Sequence, residues 1–454
     1  MRYLISAAQA CATLHKKLWE GLLAYAEQNN AKLIVLPMIG NSAKEDWEPE
    51  NFPPALRPYL LYDRLTLNSN CAIEQFNVRP YQVDPLTGLN RFAQRGQTLV
   101  FASPKQRLRP IAHSNQKYPK FLATTGACTH PNYATSDDVS AERRRLGTIA
   151  KHDHTYGAIV VETVDDKLFH LRHIRANTLG KFVDMGTRYN GKTTAPAKCE
   201  AMVLGDWHNG QGDPEVYNAT YEMIAAFNPK YLVLHDFFDG HSVSHWIPKK
   251  PIRELLIQVY DKGLWTLDGE LREAGETLKR LSKFAGEVIV VFSNHHVFLH
   301  RYLEELRFAH EPHNYRTAVE LLAYMAEADY NDPVEAGIKK FTSLPSNITF
   351  LREDDDFKVR GFQLGAHGDK SDGGGKFGGG YGGITSKEIA FGKSVSGHVH
   401  RAEILRDTYT VGTCLPRNMF YTRGQPSSWT HSHALIWETG TVQLLNIFDG
   451  KWGA

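Results

Sequence analysis

Asp, Asn and His recur in five short polar motifs between residues 205 and 400 of this 454-residue chain. They are Gly205-Asp206-Trp207-His208, His235-Asp236-Phe237-Phe238-Asp239, Asn294-His295-His296, Gly365-Ala366-His367-Gly368 and Gly397-His398-Val399-His400. Carboxylate, amide oxygen and imidazole together are the donors a hard or borderline divalent cation takes. Asp206 and His208 stand two apart, so on an extended backbone both point one way, while Trp207 packs on the other side. Asp236 has two oxygens and can serve two cations at once. Asn294 adds a neutral carbonyl oxygen, and His367, His398 and His400 add three imidazoles. Asp206, His208, Asp236, Asn294, His367, His398 and His400 therefore suffice for two divalent cations that share Asp236.

Two cations about 3.5–4 Å apart do what phosphoester hydrolysis needs. They acidify a bridging water, neutralise phosphate charge and brace an in-line transition state. His295, beside Asn294, is placed to donate to a phosphate oxygen or to protonate the leaving oxygen. Asp236 and His295 are thus the expected catalytic residues. Manganese is the leading expectation for the metal, and iron and zinc suit the same donors. The neighbouring His235, His241, His245, His296, His300, His310 and His313 are expected to support the site or lie on the surface, since seven donors already complete it.

Elements of an α/β layered protein must bring these motifs together. Each motif follows an apolar β-like run: Glu200 to Leu204, Tyr231 to Leu234, Val288 to Phe292, residues 357–364 and residues 394–396. Helical spacing between them predicts helices over 214–227 and 268–284. In such sheets ligands gather in the crevice beyond the carboxyl ends of the strands. The amino-terminal part begins strand, helix, strand, with Lys32 to Pro37 as a buried-type strand, and a hairpin over 157–171 turns at Asp165-Asp166. Polar residues 187–198 read as a linker. The expected division is an α/β domain over 1–195 and a catalytic domain over 200–454, with a helical insertion near 297–345. Asp372 to Gly383 is a glycine-rich run between two ligand motifs.

Composition sets the outer limits. The chain is 42% hydrophobic and 22% charged, which suits a globular protein. No apolar run approaches the roughly 18 residues of a membrane helix, so no membrane partner is expected. With no secretion signal at the start, the expected location is the cytoplasm, of a host cell if the protein is phage-encoded. Five scattered cysteines with no C-x-x-C exclude a disulfide framework and a zinc–thiolate site. Net charge is +2, but residues 91–151 carry 11 Lys and Arg against 3 Asp and Glu. Such a stretch suggests a polyanion.

The motif set resembles the calcineurin-like metallophosphoesterase superfamily over about residues 201–415. That resemblance implies a sandwich of two mixed sheets flanked by helices. It implies that Asp206, His208, Asp236 and His400 hold one metal, that Asp236, Asn294, His367 and His398 hold the other, and that His295 faces the substrate. Two departures stand out. His235 replaces the family's glycine before the bridging aspartate, and His296 replaces its acidic residue after Asn-His, so Asp239 is expected to partner His295. The segments from Thr124 to Tyr133 and from Tyr156 to Glu162 resemble phage-encoded members that degrade DNA, and SbcD-type nucleases are also similar.

The expected function is a nuclease that hydrolyses DNA with a hydroxide shared by two metals. Arg143, Arg144 and Arg145 are the expected phosphate contacts. Tyr118, Phe121, Tyr133, His154 and Tyr156 would stack on bases, and Lys376 in the glycine-rich run would close on the backbone. The alternatives are a nucleotide or small-molecule phosphodiesterase or phosphatase, and a non-catalytic DNA-binding protein with a vestigial metal site. Self-association through the amino-terminal region stays open.

Overall fold

Alternating apolar side chains set how the layers stack. Ala201, Val203, Val233, Ile289, Val291, Ala434 and Ile436 join one apolar cluster. Met202, Leu204, Leu232, Leu234, Val288, Val290, Leu435 and Trp437 join another. Strands apolar on both faces belong to a sheet covered on both sides. The structure, a computed structural model, describes residues 1–39, 47–93, 97–113, 118–244, 266–370, 382–419 and 422–453.

The sheet so covered has six strands, ordered Ile348–Phe350, Glu287–Val290, Tyr231–Leu234, Cys199–Val203, Ser432–Trp437 and Val442–Asn446. The first four run parallel and the last two are antiparallel. Helices Pro214–Phe227, Leu267–Leu281 and His296–Glu304 cover one face through Met223, Leu271, Leu278 and Leu299. The opposite face shares its apolar cluster with two more sheets. One has four strands, ordered Ala31–Met38, Arg2–Gln9, Gly157–Thr163 and Phe169–Arg175, and is backed by helix Lys16–Gln28 through Leu18, Trp19 and Leu22. The other has ten strands and contains Phe362–Gln363, Ser394–Ser396, Glu403–Leu405, Arg107–Ile111 and Lys120–Thr124. The architecture is α/β, with mixed sheets flanked by helices. Among the described residues no helix is long and apolar enough to cross a membrane.

Two expectations about organisation need correction. Residues 187–198 are not a linker. Thr187–Asn190 and Thr193–Pro196 pair antiparallel with each other, and the first pairs with Phe182–Asp184. Exposed Thr193 and Thr194 and the scarcity of apolar residues hide the β pattern. Nor does a boundary near 195–200 divide the sheets. Arg107–Ile111 pairs with Glu403–Leu405, with Leu108 opposite Ile404. The Arg107 guanidinium donates to the Ile404 carbonyl at 2.7 Å and pairs with Glu403 at 3.3 Å. The expected helical insertion takes the form of helices His296–Glu304, Pro312–Ala328 and Pro333–Phe341.

A buried ion cluster joins the four-stranded sheet to its surroundings. Arg172 donates to Asp184 at 2.6 and 2.8 Å and to Glu162 at 2.9 Å. Tyr25 and Gln443 also donate to Asp184, at 2.8 and 2.7 Å. Burial opposes ionisation of Asp184, but the Arg172 guanidinium holds its carboxyl below the usual range. Removing one partner strands a buried charge, which costs about 3–5 kcal/mol. Arg172→Met should therefore lower stability by about that amount in urea unfolding. A depressed carboxylate stabilises above its unfolded-state pKa of about 4 and loses that contribution as pH falls through its folded value. The variant's deficit should accordingly shrink as the pH is lowered below about 4; a deficit that does not change with pH would show that the ion pair is not its source.

Candidate metal centre

Three neighbouring parallel strands of the six-stranded sheet end on ligand motifs. Asp206 follows Cys199–Val203, Asp236 follows Tyr231–Leu234, and Asn294 follows Glu287–Val290. Two strands of the ten-stranded sheet bring the rest. His367 follows Phe362–Gln363, and His398 and His400 follow Ser394–Ser396, its parallel neighbour. Backbone bonds stitch the two groups together. Trp207 and His208 N–H donate to His235 and Asp236 carbonyls at 3.0 and 2.8 Å. The His398 N–H donates to Asp206 Oδ2 at 2.7 Å.

All seven expected ligands converge. One donor atom each of Asp206, His208, Asp236 and His400 lie within 4.8 Å of one another, as do those of Asp236, His367 and His398. His400 Nε2 is 3.1 Å from Asp206 Oδ2 and 3.3 Å from His208 Nε2. His367 Nε2 is 3.2 Å from Asp236 Oδ2 and 3.1 Å from Asn294 Oδ1, and His398 Nδ1 is 3.1 Å from the same amide oxygen. Asp236 thus belongs to both groups.

The residues fit divalent cations on three observations. Asp206 Oδ1 and Asp236 Oδ1 are buried and have no hydrogen-bond partner. Such oxygens are costly to bury unless a cation meets them. His208 Nδ1–H donates to Asp239 Oδ1 at 2.9 Å, which leaves the Nε2 lone pair toward the cluster, the usual arrangement behind a ligating imidazole. Third, four of the seven ligands hold left-handed backbone: His208 at φ 50°, Asp236 at 42°, His398 at 74° and His400 at 57°. Such backbone is uncommon in non-glycine residues and clusters at functional sites, although nine non-glycine residues elsewhere among the described residues share it. It also corrects the expectation of an extended Asp206 to His208 segment; a tight left-handed turn aims His208.

Charge within the group is balanced by the imidazoles. Burial opposes ionisation of Asp236, but His367 and His295 hold its carboxyl well below the ordinary range. Burial likewise opposes protonation of His367, yet Asp236 raises it to about 9. His398 is pushed down to about 4 by burial, reinforced by His367.

Supporting residues explain the two departures from the family pattern. His295 Nδ1–H donates at 2.6 Å to the backbone carbonyl of Asp239, whose carboxylate is 3.9 Å away and bound to His208. Asp239 therefore partners His295 through its carbonyl, not its carboxylate as expected. His235 packs behind His367 with the rings tilted 33° and their centres 5.5 Å apart, Nδ1 to Nδ1 at 3.5 Å. His296 is buried 3.9 Å from Asp332, whose other oxygen is 3.8 Å from His300. His241 sits 3.9 Å from Asp239. His245 lies outside the described residues. Two supports escaped the sequence reading. A Cβ on Gly397 would sit 2.0 Å from Asp206 Oδ1. Buried Lys387 donates to Ser396 Oγ at 2.9 Å, between the loops that carry His367 and His398. Only the glycine in Gly-His-x-His signalled the first, and nothing signalled the second.

The expected DNA contacts divide. Arg143, Arg144 and Arg145 lie on helix Ala141–His152, at least partly exposed, with Arg144 paired to Asp137. Among the described residues, no hydrogen bond or ion pair joins them to the seven ligands. Lys376 lies outside the described residues. Much of the basic stretch turns inward: Lys105, Arg107, Arg109 and Lys120 are buried. Lys105 pairs with Asp153 at 2.7 Å and Arg109 with Asp84 at 3.3 Å. Phe121 is core, and Tyr133 and His154 bond each other at 2.9 Å. These groups are committed to the fold, not to bases or phosphates.

Comparison with known proteins finds one similar relative, protein A1 of Escherichia phage T5. It is 25% identical over an alignment covering 100% of this chain and 83% of that protein. No family model matches the chain. No solved structure matches it.

Asp236→Asn and His398→Ala should each abolish tight manganese binding in calorimetry while far-UV circular dichroism stays unchanged. Manganese at a hundred times its Kd should stabilise the wild-type fold by about 2.7 kcal/mol and the two variants not at all. Gly397→Ala, which displaces Asp206, should weaken binding about 10- to 100-fold. Undiminished manganese binding by Asp236→Asn would dismiss the ligand set.

Proposed function

We propose that the chain is a metal-dependent phosphodiester hydrolase that acts on DNA. The observation that carries this reading is the convergence of seven donors from five strand ends, with one oxygen of each buried aspartate left without a partner. Asp206, His208, Asp236 and His400 would hold one cation, and Asp236, Asn294, His367 and His398 the other. Bound there, two divalent cations supply Lewis acidity toward phosphate and acidify water. The resemblance of the motifs to calcineurin-like metallophosphoesterases supports the same reading.

The chain's own residues have definite tasks in this reaction. His295 is tied through Nδ1 to the Asp239 carbonyl. With Nδ1–H engaged, Nε2 donates to a phosphate oxygen or to the leaving oxygen when the ring is the imidazolium. Asp239 holds the His208 tautomer. Gly397 leaves room for Asp206. The exposed arginines of helix Ala141–His152 support a nucleic-acid substrate by offering phosphate contacts. Burial of Lys105, Arg107, Arg109 and Lys120 favours a second reading, a nucleotide or small-molecule phosphodiesterase, because it shrinks the basic surface.

The test is cleavage of linear and circular DNA with manganese, magnesium, zinc or EDTA, beside bis-p-nitrophenyl phosphate. DNA cleavage in manganese that EDTA stops is the expected result, and cleavage of the small ester alone selects the second reading. Neutralising Arg143, Arg144 and Arg145 together should weaken DNA binding and flatten its salt dependence. An unchanged salt slope would exclude that helix from the interface.

A further inference from the structure

A cavity of about 490 Å³ opens beside the metal centre, with Arg417 and Trp429 in its wall. Trp429 is also the cavity's link to the ligands. Its indole packs edge-on against His400, ring centres 4.4 Å apart, and the next residue, Thr430, donates its N–H to the His400 carbonyl at 2.9 Å. A ligand in this cavity therefore sits one side chain from the candidate reacting centre.

Arg417 is the cavity's unusual member. Its guanidinium is partly buried, yet among the described residues it makes no ion pair and no side-chain hydrogen bond. Burial lowers its pKa despite the attraction of Asp449 and Asp213. A guanidinium so placed keeps some contact with water and has donors left for an anion that enters the cavity. The nearby carboxylates are engaged elsewhere. Asp449 accepts from Tyr118 OH at 2.7 Å, and Asp213 caps helix Pro214–Phe227 by accepting the Glu215 N–H at 3.0 Å. Glu215 lines the same wall. An anion is what the arginine lacks, and the three acids restrict which anion enters. A phosphodiester carries one negative charge, whereas a terminal phosphate carries close to two at neutral pH and meets stronger repulsion.

We propose that this cavity is a subsite for an internal phosphodiester of a nucleic-acid strand next to the scissile bond, with Arg417 on its phosphate and Trp429 beneath an adjoining base. The proposal rests on the phosphodiester-hydrolase reading and deepens it. Guanidinium suits phosphate oxygens through its planar fork of donors, and an indole face accepts any base.

Binding in EDTA tests it without hydrolysis. Fluorescence anisotropy of a labelled single-stranded 12-mer should show Arg417→Gln binding about tenfold more weakly than wild type. The log–log salt slope should fall by roughly 0.7, one contact's worth for a single strand. Arg417→Lys should keep the slope. Thymidylyl-thymidine, with one internal diester, should displace the 12-mer better than dTMP, with one terminal phosphate. Thermal midpoint and manganese affinity of each variant establish that the fold and metal centre are intact. Equal affinity and slope for Arg417→Gln, failure of the wild type to bind the 12-mer, or better competition by dTMP would each overturn the proposal. A wild type that binds the strand through Arg417 yet cleaves neither DNA nor bis-p-nitrophenyl phosphate would instead sink the hydrolase reading.

Discussion

Two ionised carboxylates, Asp206 and Asp236, are buried in one small volume, and the rest of the centre answers to them. Each would cost several kcal/mol if left uncompensated. Each has one oxygen facing an imidazole, His400 at 3.1 Å for Asp206 and His367 at 3.2 Å for Asp236. The other oxygen of each faces no donor. Further hydrogen-bond donors would satisfy those oxygens but would also fill the space a cation needs. Positions that lack a Cβ, such as Gly397, and backbone in the left-handed region keep that space open.

The left-handed ligands show where the cost of this arrangement falls. Strained backbone costs of order 1–3 kcal/mol at each position and persists only where the surroundings over-determine it. Here the surroundings are two sheets whose strand ends meet. The hydrogen bonds from Trp207, His208 and Asn209 to the carbonyls of His235, Asp236 and Phe237 lock one strand end to its neighbour. The N–H of His398 on Asp206 then locks the second sheet to the first. Because Asn294, Asp206 and Asp236 come from one sheet and the histidines after Phe362–Gln363 and Ser394–Ser396 from another, the centre exists only when both sheets are packed.

The ligand set was legible in the sequence because its chemistry is local: each donor stands two to five residues past a strand end. The three parallel strands before Asp206, Asp236 and Asn294 were legible for the same reason, as were helices Pro214–Phe227 and Leu267–Leu281. What was not legible depends on contacts distant in sequence. Lys105, Arg107 and Arg109 read as a phosphate-binding surface because their partners, Asp153, Glu403 and Asp84, lie 25 to 296 residues away. Thr187–Asn190 and Thr193–Pro196 read as a linker because an exposed strand has few apolar residues. Helix Ala141–His152 was missed because its arginines drew attention to charge, although Ser140 caps it by accepting the Arg143 N–H. Arg417 has no motif; only the cavity around it distinguishes it from any other arginine.

The pairing of Arg107–Ile111 with Glu403–Leu405 has a consequence for how the protein is made. At roughly 5–20 residues per second, a ribosome needs about 15–60 s to travel the 296 residues from Arg107 to Glu403. Through that interval the amino-terminal strands of the ten-stranded sheet are complete while one edge has no neighbour. An open, apolar strand edge is a template for another chain. Arg107 stands on that edge with Asp84 3.5 Å away, and it gains Glu403 at 3.3 Å only when the distant strand arrives.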